Sequence, residues 1–182
     1  MLNKPPALLT TRSDERGRPT VMELLPEEWR GRLFPVGRLD KDTTGLLLLT
    51  DDGDLAHRCL HPSHHVAKTY RARVDHSLDN EALRQLREGV ALDEGLTAPA
   101  EVRTRGRGSH GAEVEITIRE GRNRQVRRML QAVGHPVGEL RRMGFGPLLL
   151  GELPEGKWRP LTATELRALQ FACGLSGEAA GD

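Results

Sequence analysis

Residues 113–133 read Glu-Val-Glu-Ile-Thr-Ile-Arg-Glu-Gly-Arg-Asn-Arg-Gln-Val-Arg-Arg-Met-Leu-Gln-Ala-Val, and two periods meet inside them. Val114, Ile116 and Ile118 alternate with charged or polar residues, the pattern of a strand with one buried face. Beyond Gly121, Val126, Met129, Leu130 and Val133 recur at i, i+3, i+4 and i+7, the pattern of a helix lying on a core. Asn123 is placed to cap that helix, and Gly134 and Pro136 stop it. A strand that passes through an arginine-rich turn into a helix is the unit from which the fold class follows.

The same reading extends in both directions. Asp79 caps a helix over residues 80–88, with Leu78 and Leu83 spaced for a hydrophobic staple and Gly89 at its end. Thr162-x-x-Glu165 is a capping box opening a helix over 163–173, and Gly174 closes it. A shorter helix spans 54–60 and halts before Pro62. Strand signals cover 46–50 and 68–74, whereas the Arg/Gly/Ser stretch 103–111 reads as an exposed loop. Helices and strands are interspersed at hairpin-like spacings, so the class is α+β with a mostly antiparallel sheet. One catalytic-size domain over residues 1–174, followed by a small-residue tail at 175–182, is the expected organisation.

The chain has 182 residues, enough for one domain with a real core. Its two cysteines, Cys59 and Cys173, stand far apart and read as buried thiols of a reducing compartment. The start has no apolar core of a signal peptide, and the longest aliphatic run, residues 46–49, is too short to cross a bilayer. A cytosolic (cytoplasmic) protein with no membrane partner is expected. Charge is uneven: between residues 103 and 146 ten arginines face four glutamates, a surplus of six positive charges against a whole-chain total of +1. Such a block suits a polyanion-facing surface and equally suits a solvated arginine-rich face.

Three segments have the composition for chemistry. Val36-Gly37-Arg38-Leu39-Asp40-Lys41-Asp42-Thr43-Thr44-Gly45 precedes an apolar strand. Asp40 and Asp42 there have the chemistry of a general acid and base or of metal ligands, although Asp, Thr and Gly are also ordinary turn residues. His57, His61, His64 and His65 cluster, but no H-E-x-x-H motif or paired cysteine accompanies them, so surface histidines fit better than a metal site. Residues 120–129 enter a helix whose polar face carries Arg124, Arg127 and Arg128, a natural seat for phosphate or carboxylate or an inert polar face. No nucleotide-hydrolase, dinucleotide or serine-hydrolase signature occurs.

Asn3-Lys4-Pro5, Thr10-Thr11, Gly17-Arg18-Pro19-Thr20-Val21, Gly37-Arg38-Leu39-Asp40, Thr44-Gly45-Leu46-Leu47, Lys68-Thr69-Tyr70 and residues 120–129 follow one another in a specific order. In that order the chain resembles the ribosomal-RNA pseudouridine synthases of the RsuA/RluB/RluE/RluF group, from Asn3 to about Leu166. Two departures stand out: Ala7 replaces the usual glycine of the opening motif, and the sequence begins almost at the catalytic domain, without the small N-terminal RNA-binding domain many members carry.

The resemblance implies a pseudouridine synthase fold, a central, mostly antiparallel mixed sheet flanked by helices with the active cleft across it. It implies isomerisation of uridine to pseudouridine in ribosomal RNA, of the large subunit by likeness to the smaller members, by a monomer needing neither cofactor nor metal. Asp40 matches the catalytic aspartate, Tyr70 the tyrosine that stacks on the target base, and Arg127 the basic residue that pairs with the aspartate. Leu140 matches an apolar pocket residue. Arg38, Lys68, Arg122, Arg124, Arg128 and Arg141 are the accompanying RNA-binding candidates. Taken singly, Asp40 reads as a turn residue, Tyr70 as a strand residue and Arg127 as a surface charge; their joint order favours catalysis. The alternatives are a noncatalytic RNA-binding ribosome-assembly factor on the same fold and, more remotely, a metal-dependent hydrolase using the histidines.

Overall fold

β1 (Leu2–Lys4), α1 (Glu27–Arg30), β2 (Phe34–Val36), β3 (Thr43–Thr50) and α2 (Gly53–Leu60) build the first part of the computed structural model, which describes residues 1–108 and 111–175. β4 (Lys68–Val74), α3 (Asn80–Glu88), β5 (Ala91–Leu92), β6 (Gly95–Leu96), β7 (Glu101–Gly108) and β8 (Gly111–Ile118) follow. α4 (Gln125–Ala132), β9 (Val137–Phe145), β10 (Leu148–Leu149) and α5 (Ala163–Ala172) complete the order. Residues 176–182 of the expected tail and the side chain of Arg107 lie outside the described residues.

The central sheet runs β1-β3-β9-β4-β8-β7, with β2 on β3 and β10 on β9. Only β3 and β9 pair in parallel among these strands, so the sheet is mixed and mostly antiparallel, as expected. Alternation along the strands divides the core. Leu47, Tyr70, Ala72, Val74, Val114 and Ile116 join one cluster with Ala82 and Leu86 of α3 and Val126 and Met129 of α4. Leu46, Leu48 and Phe145 join a second with Leu55 and Cys59 of α2 and Leu169 of α5. Neighbouring leucines of β3 thus serve opposite faces, as a period of two demands.

Two helix caps form as read: the Asp79 side chain accepts from Ala82 N at 2.7 Å, and the Thr162–Glu165 box is complete. Asp52 adds a third, accepting from Leu55 N at 2.9 Å and starting α2 at Gly53, one residue before the expected start. Two expectations are corrected. The stretch 103–111 is no loop: most of it is strand β7, at the sheet's edge, where only one side pairs and Val102 is its buried apolar residue. An edge strand needs no alternating apolar pattern and is commonly charged, which hid it. The cap of α4 is not Asn123: Arg124 occupies that position in the left-handed conformation (φ +47°), with no capping side chain.

Candidate active site

The loop 37–42 between β2 and β3 carries Asp40, and neighbouring segments fix it from two sides. Lys4, wholly buried, extends its Nζ to the carbonyl oxygens of Pro5, Lys41 and Thr43, each at 3.0 Å. Thr10 Oγ1 donates to Leu39 O at 2.8 Å and accepts from Leu39 N at 3.3 Å. Three carbonyls around one buried ammonium replace its lost hydration. Burial still pushes the Lys4 pKa down to about 8, against the pull of Asp42, Asp40 and Glu155. At Gly45 (φ +101°) a Cβ would lie 2.2 Å from Arg142 O, so only glycine lets β3 run beside β9 here.

A cavity of about 460 Å³ opens beside this loop, of the size that holds a small-molecule ligand. Asp40, Arg38, Lys68, Tyr70, Arg122, Arg124 and Leu140 all line it, although 100 residues separate Asp40 from Leu140. Tyr70, 9% exposed, and Leu140, 5% exposed, present an aromatic ring and an aliphatic chain from adjacent strands. Lys68 Nζ donates to Val66 O at 3.0 Å and sits 5.8 Å from the Phe145 ring centroid. Burial, then the nearby Arg142 charge, lowers the Lys68 pKa.

The arginines are arranged differently from the expectation. Arg124 Nη1 lies 3.3 Å from Asp40 Oδ2, so the aspartate's contact partner is Arg124, not Arg127. Arg124, left-handed at the N-cap of α4, stands outside the helix proper, and its side chain reaches Asp40 in the loop 37–42. Arg127, inside α4, donates Nη1 to Val137 O at 3.1 Å, and its buried Nε and Nη2 have no partner among the described residues. Burial, then the Arg124 charge, lowers the Arg127 pKa, and Asp40 and Asp42 oppose that shift.

Arg122 and Arg128 are occupied by protein. Arg122 donates to Gly95 O at 2.7 Å and Leu96 O at 2.5 Å, and Arg128 binds Glu94, so both pin the β5–β6 hairpin. Arg141 is not among the cavity's lining residues. Its neighbour Arg142 takes that place, 2% exposed, with Nε on Leu46 O at 2.7 Å and its guanidinium 5.3 Å from the Phe145 ring centroid. Its Nη2 is buried without a partner among the described residues. Strand alternation puts Arg141 and Arg142 on opposite faces of β9, a distinction open to sequence reading only once β9 is recognised as a strand.

Three of the clustered histidines form a row, His57–His61 with tilted rings and centroids at 5.5 Å and His61–His64 edge-on at 6.1 Å. Among the described residues, no three His, Cys, Asp or Glu side chains gather as metal ligands, and no helix is long and apolar enough to cross a membrane.

Residues 1–132 match the family model described as RNA pseudouridylate synthase. The chain belongs to this family. It is 44% identical over 177 residues to an uncharacterized RNA pseudouridine synthase of Aquifex aeolicus, covering 96% of this chain and 70% of that one. It is 41% identical to ribosomal large subunit pseudouridine synthase B of Bacillus subtilis, covering 93% and 70%. A solved pseudouridylate synthase superposes with a TM-score of 0.84 at 38% identity, covering 92% of this chain and 71% of that one. This pseudouridine synthase therefore has the fold that the resemblance implied, and it is an isomerase.

Proposed function

We propose that this pseudouridine synthase isomerises one uridine of large-subunit ribosomal RNA, in the cytoplasm, as a monomer without cofactor or metal. The observation that carries the reading is the convergence of Asp40, Tyr70, Leu140 and Arg124 on one cavity from four separate parts of the chain. The Bacillus subtilis relative, named for the large ribosomal subunit, supports the substrate class.

The geometry suits each role. Uridine stacked in a helix is out of reach, so the base is extruded and held flat between the Tyr70 ring and the Leu140 side chain. Asp40 serves as the nucleophile or base, and Arg124 fixes the carboxylate's orientation. Arg127 adds a second positive charge behind it. The bond between ribose C1′ and uracil N1 breaks, the uracil turns, and C1′ joins C5. C5 gives up its proton and N1 gains one, so the conversion is an isomerisation with no net oxidation. Buried Arg142 and half-buried Lys68 line the cavity with N–H donors, which suit the acceptor oxygens of uracil.

The test is tritium release from ribosomal RNA labelled at uridine C5. The wild-type protein releases tritium, and Asp40→Asn releases none while keeping its fold and RNA binding. Turnover by Asp40→Asn overturns the assignment of the aspartate, and binding without turnover by the wild type establishes the noncatalytic alternative.

A further inference from the structure

A second cleft, about 570 Å³, adjoins the base cavity and shares Arg38, Leu39, Asp40 and Arg124 with it. Its other wall is the loop 9–18, which carries Thr10, Thr11, Ser13, Arg16 and Arg18, and Lys41 lies on its floor. The aspartate and its arginine thus stand at the junction of two spaces. One is more enclosed and partly apolar, fitted to a base; the other is more open and lined by hydroxyls and by charges of both signs, Arg16, Arg38 and Lys41 standing beside Glu15 and Asp42 while Asp14 is taken up by Arg18.

The loop is held in place rather than loosely attached. Thr10 exchanges two hydrogen bonds with Leu39, and Ala7 N donates to Lys41 O at 2.9 Å. Asp14 gathers Arg16 N, Arg18 N and the Arg18 guanidinium, which sets the bend. Arg18 is held by Asp14, whereas the side chains of Arg16, Arg38 and Lys41 are exposed and have no partner among the described residues. The arginine block of residues 103–142, in contrast, is largely spent on protein. Arg105 pairs with Glu115, Arg119 with Glu101, Arg128 with Glu94, and Arg122 with backbone carbonyls.

We infer that the cleft along the loop 9–18 is the track for the RNA strand adjoining the target uridine, its phosphates meeting Arg16, Arg38 and Lys41. This rests on the proposed isomerisation of a uridine in RNA. A nucleotide extruded into the base cavity places its ribose at Asp40, and its neighbour in the chain must leave through an opening that begins there. The second cleft is such an opening. Guanidinium and ammonium groups without protein partners match phosphate oxygens, and the threonine and serine hydroxyls match phosphate or ribose. The contacts are to backbone, so they set affinity and position rather than sequence preference.

The test uses in-vitro-transcribed large-subunit ribosomal RNA labelled at uridine C5, with KM and its salt dependence read by tritium release. Arg16→Glu and Lys41→Gln each raise KM on the order of tenfold and lower the slope of log KM against log salt by about 1. Arg16→Ala shows the same direction with a smaller rise. Arg167→Glu, an exposed charge reversal on α5, leaves KM and slope at the wild-type values. If the Arg16 and Lys41 variants match Arg167→Glu in KM and slope, the strand track is overturned while the isomerase reading stands. If the wild-type protein releases no tritium, the isomerase reading falls and this inference with it.

Discussion

Arg124 Nη1 stands 3.3 Å from Asp40 Oδ2, although in sequence Arg124 is one of four arginines within seven residues and nothing marks it from the others. Of the four it alone has a left-handed backbone. Arg122, Arg127 and Arg128 make their hydrogen bonds to other partners, and this division has measurable consequences.

Arg124→Leu removes the only guanidinium in contact with the aspartate among the described residues. Its kcat/KM falls on the order of 100-fold, the usual cost of losing one charge-orienting donor. Arg128→Leu loses only a few-fold, because its partner is Glu94, and chiefly loosens the β5–β6 hairpin. Steady-state kinetics on labelled RNA decides this, and equal losses in the two variants would remove the special standing of Arg124.

Arg142→Met lowers kcat/KM on the order of 100-fold, whereas Arg141→Met stays within a few-fold. Arg142 lines the base cavity and Arg141 does not. Thermal melts accompany the assay, since Arg142 also binds Leu46 O and its loss has a stability cost of about 1–3 kcal/mol. Greater damage from Arg141→Met than from Arg142→Met contradicts the placement.

Lys4 makes stability depend on pH with a defined sign. Its folded pKa of about 8 lies below the ordinary lysine value of 10.5. Between these values the unfolded chain keeps a proton that the folded chain has released, so rising pH favours the folded state through this group. Urea unfolding at pH 7 and pH 10 therefore gives a wild-type advantage over Lys4→Met that widens at the higher pH. A constant or narrowing advantage contradicts the burial argument.

Ala7→Gly stabilises the protein. Ala7 has φ +68°, a left-handed conformation that strains an L-residue by about 1–2 kcal/mol and glycine hardly at all. Ala7 is exposed, so little packing is lost, while the freer unfolded glycine chain offsets part of the gain. A rise in melting temperature of a few degrees is expected, and a fall would show that Ala7 is not strained.

Local chemistry was legible in the residues themselves. Asp79 and Thr162–Glu165 cap helices because a short oxygen-bearing side chain beside a helix start finds unpaired N–H groups wherever it is placed. β4 and β8 followed from alternation, because each buries one face. The ordered motifs pointed to Asp40 and Tyr70, and the resemblance, outside those motifs, to Leu140; all three line the cavity. The positive φ of Ala7 gives physical content to a departure already visible as alanine in place of glycine.

What the chain order did not contain was which charge meets which. β7 and β9 carry arginines and glutamates through their length, so their strand character comes from pairing with neighbours distant in sequence rather than from their own pattern. Until β9 is placed between β3 and β4, Arg141 and Arg142 are equivalent, and the sheet alone sends one into the cavity. Likewise Arg122, Arg124, Arg127 and Arg128 acquire different partners only when the β5–β6 hairpin, the loop 37–42 and the start of β9 are packed around α4. Sequence sets which side chains are available, whereas ion pairing needs separations of a few ångströms, and those are set by tertiary packing.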